Sequence, residues 1–180
     1  MSFQIRQAEP ANVGEISRLI AASVRGLSIS NYTPKQVELS IRSVFGVDTE
    51  LINDGTYFVA EEKGKIVGCG GWSRRKTLYG ASAFAHSREE GFLDPAIDAA
   101  KIRAFFVHPD HARRGIGSVI LERCEYEARA AGFKRAEMMA TLPGVPLYAA
   151  RGYTGDERVE VPVGEGEFII CIKMSKSLAP

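Results

Sequence analysis

Apolar and polar residues alternate along this chain with two different periods. Residues 3–7 alternate one by one and predict a short first strand. After Pro10 the period lengthens. Val13, Ile16, Leu19 and Ile20 fall on one face of a helix that starts at Pro10 or Asn12. Gly26 and the polar stretch 28–33 end it, and Pro34 opens a second helix with Val37, Ile41, Val44 and Phe45 as its stripe. Two β-rich runs, 56–60 and 65–72, flank Glu61-Glu62-Lys63-Gly64 and predict a hairpin. Residues 79–100 are mixed and read as a long irregular connection with a helical turn; such connections are commonly functional. A strand over 101–108, closed by Pro109, leads through a turn at 110–114 into another helix. Ile116, Ile120, Cys124 and Ala128 form the buried face of that helix, and Gly132 lies just past its end. There follow a strand over 135–140, a short helix over 144–151 ended by Gly152, and a closing hairpin. That hairpin begins at Tyr153, turns at 164–166 and returns over 167–174. The order predicts one mixed α/β domain spanning 1–180, with a strand–helix unit at its centre.

Composition narrows the function classes. The chain is 45% hydrophobic and 25% charged, which argues for a packed globular domain rather than disorder. Lys and Arg total 23 against 22 Asp and Glu, so a strongly basic nucleic-acid-coating protein is not expected. Cys69, Cys124 and Cys171 are scattered, with no CxxC and no Cys/His cluster. No thiolate metal site is expected, and reduced thiols of a cytoplasmic protein are. No apolar run reaches the roughly 18 residues of a spanning helix, and the polar start lacks the stretch of a signal peptide. The expectation is a cytoplasmic protein with neither membrane nor nucleic acid as partner.

The chemistry concentrates in residues 105–121, FFVHPDHARRGIGSVIL: a strand, a turn with two arginines and two glycines, then an amphipathic helix. The first amides of a helix lack internal partners and its dipole adds positive character. Gly115 and Gly117 let a phosphate approach the backbone, and Arg113 and Arg114 add charged donors. An isolated R-G-x-G is more often a tight turn with solvated arginines; the flanking strand and helix favour a pyrophosphate. A P-loop would need Lys-Ser or Lys-Thr after the glycines, and the dinucleotide motif would need glycine where Ile120 stands.

This segment resembles the acetyl-CoA-binding motif of the GNAT superfamily of N-acetyltransferases, [QR]-x-x-G-x-[GA] after a strand ending in V-x-P. Here the match is Val107-His108-Pro109 followed by Gly115-Ile116-Gly117, and Ala112 stands where the family has Gln or Arg. A second segment, Leu147-Tyr148-Ala149-Ala150-Arg151-Gly152-Tyr153, resembles the family's [FY]-Y-x-x-x-G-[FY]. The element order matches from Phe3 to Met174. The resemblance implies an α/β fold of the GNAT type, a central mixed sheet of about seven strands with helices on both faces. It implies transfer of acetyl from acetyl-CoA to an amine, expected on a small molecule, by direct attack in a ternary complex. No cysteine lies in either motif, which argues against a thiol shuttle.

The resemblance also assigns roles. Backbone of Phe105 and Val107 would pair with the pantetheine arm between splayed strands, and an amide near Val107 would stabilise the oxyanion. Arg113, Arg114, Gly115, Gly117 and Ser118 would hold the pyrophosphate. Tyr148 would protonate the leaving thiolate; the alternative is a core aromatic, as is expected of Tyr153. The general base is not placed. His108 is a base or a strand-end cap, and Glu61, Glu62, Glu89, Glu90, Asp94 and Glu137 are the other carboxylates. Trp72, Tyr79, Phe84 and Phe92 either line an acceptor pocket or pack elsewhere. Arg103, near Arg74-Arg75-Lys76, suggests an anionic acceptor group. Segments 26–34 and 79–100 should decide the acceptor. A homodimer through the final hairpin is open. So are a non-catalytic acyl-CoA sensor, another acyl-CoA, a protein acceptor and a purely structural glycine turn.

Overall fold

The computed structural model describes residues 2–76 and 91–179. The expected strands and the helices at the expected places are present, and residues 79–90 of the expected connection lie outside the described residues. β1 (Gln4–Gln7) precedes α1 (Val13–Leu27) and α2 (Pro34–Ser43), and a short α3 (Thr49–Asn53) that periodicity did not reveal follows. The hairpin is β2 (Tyr57–Glu62) and β3 (Lys65–Ser73). β4 (Ala100–Val107), α4 (Ile116–Ala130) and β5 (Arg135–Thr141) form the central unit. α5 (Val145–Ala150) leads into the final hairpin, β6 (Thr154–Gly164) and β7 (Glu167–Ser177).

Local chemistry sets several of these boundaries. Thr33 and Gln36 exchange side-chain and backbone hydrogen bonds across the first turn of α2, with Pro34 at the first helical position. α3 starts where the buried Asp48 carboxylate accepts the Leu51 N–H at 3.3 Å. Asp gives no periodic signal, so a helix this short is set by its cap and not by a stripe.

The seven strands run in the order β1-β2-β3-β4-β5-β7-β6. All neighbours are antiparallel except β4 and β5. That parallel pair is joined at two positions only, Ala100 with Ala136 and Lys101 with Glu137, after which the strands diverge. Each face of the sheet carries its own core. Ile120, Leu121, Cys124 and Ala128 of α4 pack with Phe133 and Met138 on one side. Ile16, Leu19 and Ile20 of α1 pack with Val37, Leu51 and Tyr57 on the other. This is the mixed sheet with helices on both faces that the sequence implies.

β4 carries the one irregularity that shapes the site. From Cys69 to Gly71 on β3, the partner runs from Phe106 back to Arg103, one residue more, so β4 is bulged. Ala104 takes the extra place with φ +61°, a conformation that costs a non-glycine residue about 1–3 kcal/mol. Two features hold it. The Tyr57 hydroxyl donates to the Ala104 carbonyl at 3.1 Å, and the Phe105 ring lies over Gly70, where a Cβ would come within 2.7 Å of it. The bulge resets the alternation. Arg103 and Ala104 share the α1 side, Phe105 and Val107 face α4, and Phe106 faces α1.

Candidate active site

Where β4 and β5 part, a cavity of about 840 Å³ opens through the sheet. Phe105, Val107, Leu147 and Tyr148 line it from the α4 core, and Phe45, Phe106 and Met139 from the α1 core. Two molecules entering from opposite faces could therefore meet within it.

The α4 wall is mainly backbone. Gly115 caps α4 with φ +82°, and Arg113 before it has φ +64°, so the turn bends sharply back toward the strand end. Gly117 is buried, and a Cβ there would sit 2.9 Å from the Leu147 side chain. Its missing side chain therefore also seats α5 against α4, a packing demand the motif did not announce. Arg113, Gly115, Gly117 and Ser118 line the cavity, but the Arg114 side chain does not reach it. The Arg114 guanidinium instead donates to both Glu62 carboxylate oxygens, at 2.7 and 3.0 Å, and to Ser2 Oγ. Arg114 holds the Glu62 carboxyl down to about 2, with Ser2 contributing. His111 Nε2 lies 3.1 Å from the same carboxylate.

The free edge of β4 forms the floor. The His108 N–H bonds the Val67 carbonyl of β3, so the amides of Val107 and Phe105 point the other way, into the gap. Val107 does not present its N–H unengaged: it donates to Ser23 Oγ at 3.2 Å. Ser23 is a buried hydroxyl of α1 that also lines the cavity. Nothing in the periodicity of α1 marks Ser23, which stands beside Val24 on the buried stripe. Gly26 of the same helix packs against Pro109 with no room for a Cβ, at 2.3 Å, which ties α1 to the strand end.

Tyr148 is buried in α5, edge-on to Phe105 at 6.2 Å and to Tyr153 at 6.1 Å. Burial pushes its phenol above the ordinary tyrosine range, so it keeps its proton at neutral pH. Its ring belongs to the core while the residue lines the cavity, so the catalytic and packing readings meet in one side chain. Among the described residues its hydroxyl has no hydrogen-bond partner.

Other candidates lie elsewhere. His108 Nδ1 accepts the Asp110 N–H at 3.3 Å and caps the short turn at Pro109–His111. Trp72 is buried against Phe133, with its indole N–H 3.4 Å from Glu127, and is not among the residues that line the cavity. Phe92 is exposed beneath the Arg74 and Arg75 guanidinium groups. Arg103 is buried, 3.0 Å from Asp48 and 3.7 Å from Glu50, not an outward-facing anion receptor. Lys101 pairs with Glu137, Glu61 with Arg6, and Asp94 receives backbone N–H groups of its own loop. Tyr79, Phe84, Glu89 and Glu90 lie outside the described residues.

The α1 wall draws on the 26–34 segment, through Leu27, Ser28, Ser30 and Asn31, and on Val44, Phe45 and Gly46; Val44 and Phe45, expected in the stripe of the second helix, lie beyond its end at Ser43. Tyr32 anchors it: its hydroxyl donates to the Ile170 carbonyl at 2.7 Å and accepts the Leu142 N–H at 2.9 Å. Among the described residues no group of His, Cys, Asp and Glu could hold a metal ion, and no helix is long and apolar enough to cross a membrane.

Residues 53–155 match the model of the acetyltransferase (GNAT) domain. No curated protein sequence matches. Among solved structures, a GCN5-related N-acetyltransferase from Rhodopseudomonas palustris is 21% identical with TM-score 0.72, covering 98% of this chain and 96% of its own. The PaiA N-acetyltransferase from Thermoplasma acidophilum, solved with coenzyme A, is 13% identical with TM-score 0.67, covering 98% and 99%. A GNAT family acetyltransferase from Brucella melitensis in complex with acetyl-CoA is 18% identical with TM-score 0.57, covering 99% and 89%.

Proposed function

This chain belongs to the GNAT acetyltransferase family, and on that premise we propose that residues 1–180 act as one domain moving acetyl from acetyl-CoA to a small-molecule amine, by direct attack. The observation that carries the proposal is the open edge of β4, which runs toward the glycine turn at the start of α4. An extended amide-bearing arm fits the edge, and a pyrophosphate fits the turn at its end. The donor occupies the α4 side; the amine arrives from the α1 side. The amine nitrogen attacks the thioester carbon and sheds one proton to solvent, the carbon–sulfur bond breaks, and the electron pair leaves on sulfur, which takes up a proton from solvent in turn. The β4 amide of Phe105 faces the gap and stabilises the oxygen that gains charge. Tyr148, still protonated, donates a hydrogen bond to the departing thiolate.

In this reading Gly115 and Gly117 supply close approach, Ser118 and the backbone of Arg113 and Arg114 supply donors, and Arg113, which lines the cavity, supplies a guanidinium. Calorimetric titration with acetyl-CoA tests it, with Gly117→Glu as the control. Saturable binding in the wild-type protein, lost in the variant, is expected. Wild-type protein that does not bind at low or moderate salt would sink the proposal.

A further inference from the structure

The α1 side of the cavity has a definite chemical character. Phe45 and Phe106 stand edge to face with ring centroids 5.7 Å apart, and both line the opening. Leu27, Val44 and Met139 continue the same surface. All five are only partly buried, so their apolar area stays open to the cavity. Partly open aromatic rings at the end of a cleft favour a ligand with an apolar body that can lie against them.

The charges at this end point the same way. Arg103 lies behind the lining with its guanidinium buried, turned to Asp48 and Glu50 at 3.0 and 3.7 Å. Those carboxylates are engaged with a fixed cation. No Asp or Glu is among the described residues that line the cavity, so a second positive charge on an acceptor would lose its water there and meet no carboxylate in exchange. Ser28, Ser30, Asn31 and Thr141 add neutral hydrogen-bonding groups that can orient one amine without selecting for further charge.

We propose that the acceptor is a monoamine carrying an apolar, aromatic-sized body, with Phe45 and Phe106 as the surface that selects it. This rests on the acetyltransferase reading and goes beyond it by naming the acceptor class. The bound ring covers the Phe45–Phe106 pair, and its amine projects through the gap toward the thioester.

Thiol release from acetyl-CoA, followed with phenethylamine, ethylamine and spermidine, tests this directly. Phenethylamine should exceed ethylamine in kcat/KM by about thirtyfold, the worth of one buried aromatic ring. Spermidine should be no better than ethylamine. Phe45→Ala should lower kcat/KM for phenethylamine by about tenfold and for ethylamine by about twofold or less, with the calorimetric Kd for acetyl-CoA retained. If the alanine variant does not fold, Phe45→Leu reads the same preference with a loss of about threefold.

Three results would overturn the assignment. Spermidine could be the best substrate, Phe45→Ala or Phe45→Leu could slow every amine equally, or phenethylamine could neither bind nor react in protein that binds acetyl-CoA. Absence of acetyl-CoA binding in the wild-type protein is a different failure. It appears before any amine is added and removes the acetyltransferase reading itself.

Discussion

On the α4 side of the gap the chain offers main chain: a bulged strand edge, a left-handed turn at Arg113 and Gly115, and the first amides of a helix. On the α1 side it offers side chains gathered from the end of α1, the stretch after α2 and the outer face of β4 and β5. The first wall is built from contiguous residues, the second from pieces more than 100 residues apart, as the Tyr32–Leu142 bond illustrates. A backbone wall recognises what every donor of one class shares. A side-chain wall can be rewritten position by position, so in the proposed reading acceptor choice resides there.

The sharpest way to break this division is Gly117→Glu. A side chain there collides with Leu147 and places a carboxylate at the α4 N-terminus. Acetyl-CoA affinity should fall by about a hundredfold or more in calorimetry, the cost of an unpaired buried charge. Next comes Tyr148→Phe. It should lower kcat by about a hundredfold, as loss of a general acid does, while acetyl-CoA affinity is retained. An unchanged kcat would leave Tyr148 as packing alone. Smaller is Ser23→Ala, which releases the Val107 amide for the donor arm. Acetyl-CoA should bind about fivefold tighter, the worth of one neutral hydrogen bond. Weaker binding would mean that Ser23 itself belongs to the donor site.

Tyr32→Phe addresses the other wall. It leaves the Ile170 carbonyl and the Leu142 N–H without their partner and should cost about 1–3 kcal/mol in chemical denaturation. The KM for the amine should rise and the Kd for acetyl-CoA should not. The smallest effect is at Glu62, which lies outside the cavity. Its carboxyl is depressed, so its contribution to stability is present above the ordinary carboxylate range and lost as pH falls through about 2. Melting curves of wild type and Glu62→Gln should therefore differ near neutrality and converge in strong acid.

The donor wall was legible in the sequence because its signals are local. Val107-His108-Pro109, Gly115 and Gly117 stand within a dozen residues; Gly115 answers a left-handed backbone and Gly117 a close contact with Leu147. Tyr148 was legible through its spacing to Gly152. The acceptor wall was legible only in part. The 26–34 segment stood out because it breaks a helix, whereas Phe45 read as one more residue of an apolar stripe. Ser23 and Asp48 were not found, since a serine on a helix face and an aspartate in a loop carry no period. Arg103 suggested an anionic acceptor group for a related reason: the carboxylates that take up its guanidinium stand at the start of a helix of only five residues, which no stripe reveals. The bulge that sends Arg103 and Ala104 to the same side cannot be seen in a pattern of period two.

The parallel contact between β4 and β5 has a mechanical consequence. Two residue pairs are all the ladder that joins the first four strands to the last three. A cut in the loop at Gly132 would leave β1–β4 with α4 in one fragment and the β5–β7–β6 ladder in the other, with each set of antiparallel bonds intact. Within the sheet the fragments would meet along a seam that opens beyond those two pairs, while the cores on both faces still join them. A molecule lying in that opening touches both sides, so it would work as a clamp, and its concentration would set how firmly the halves hold together.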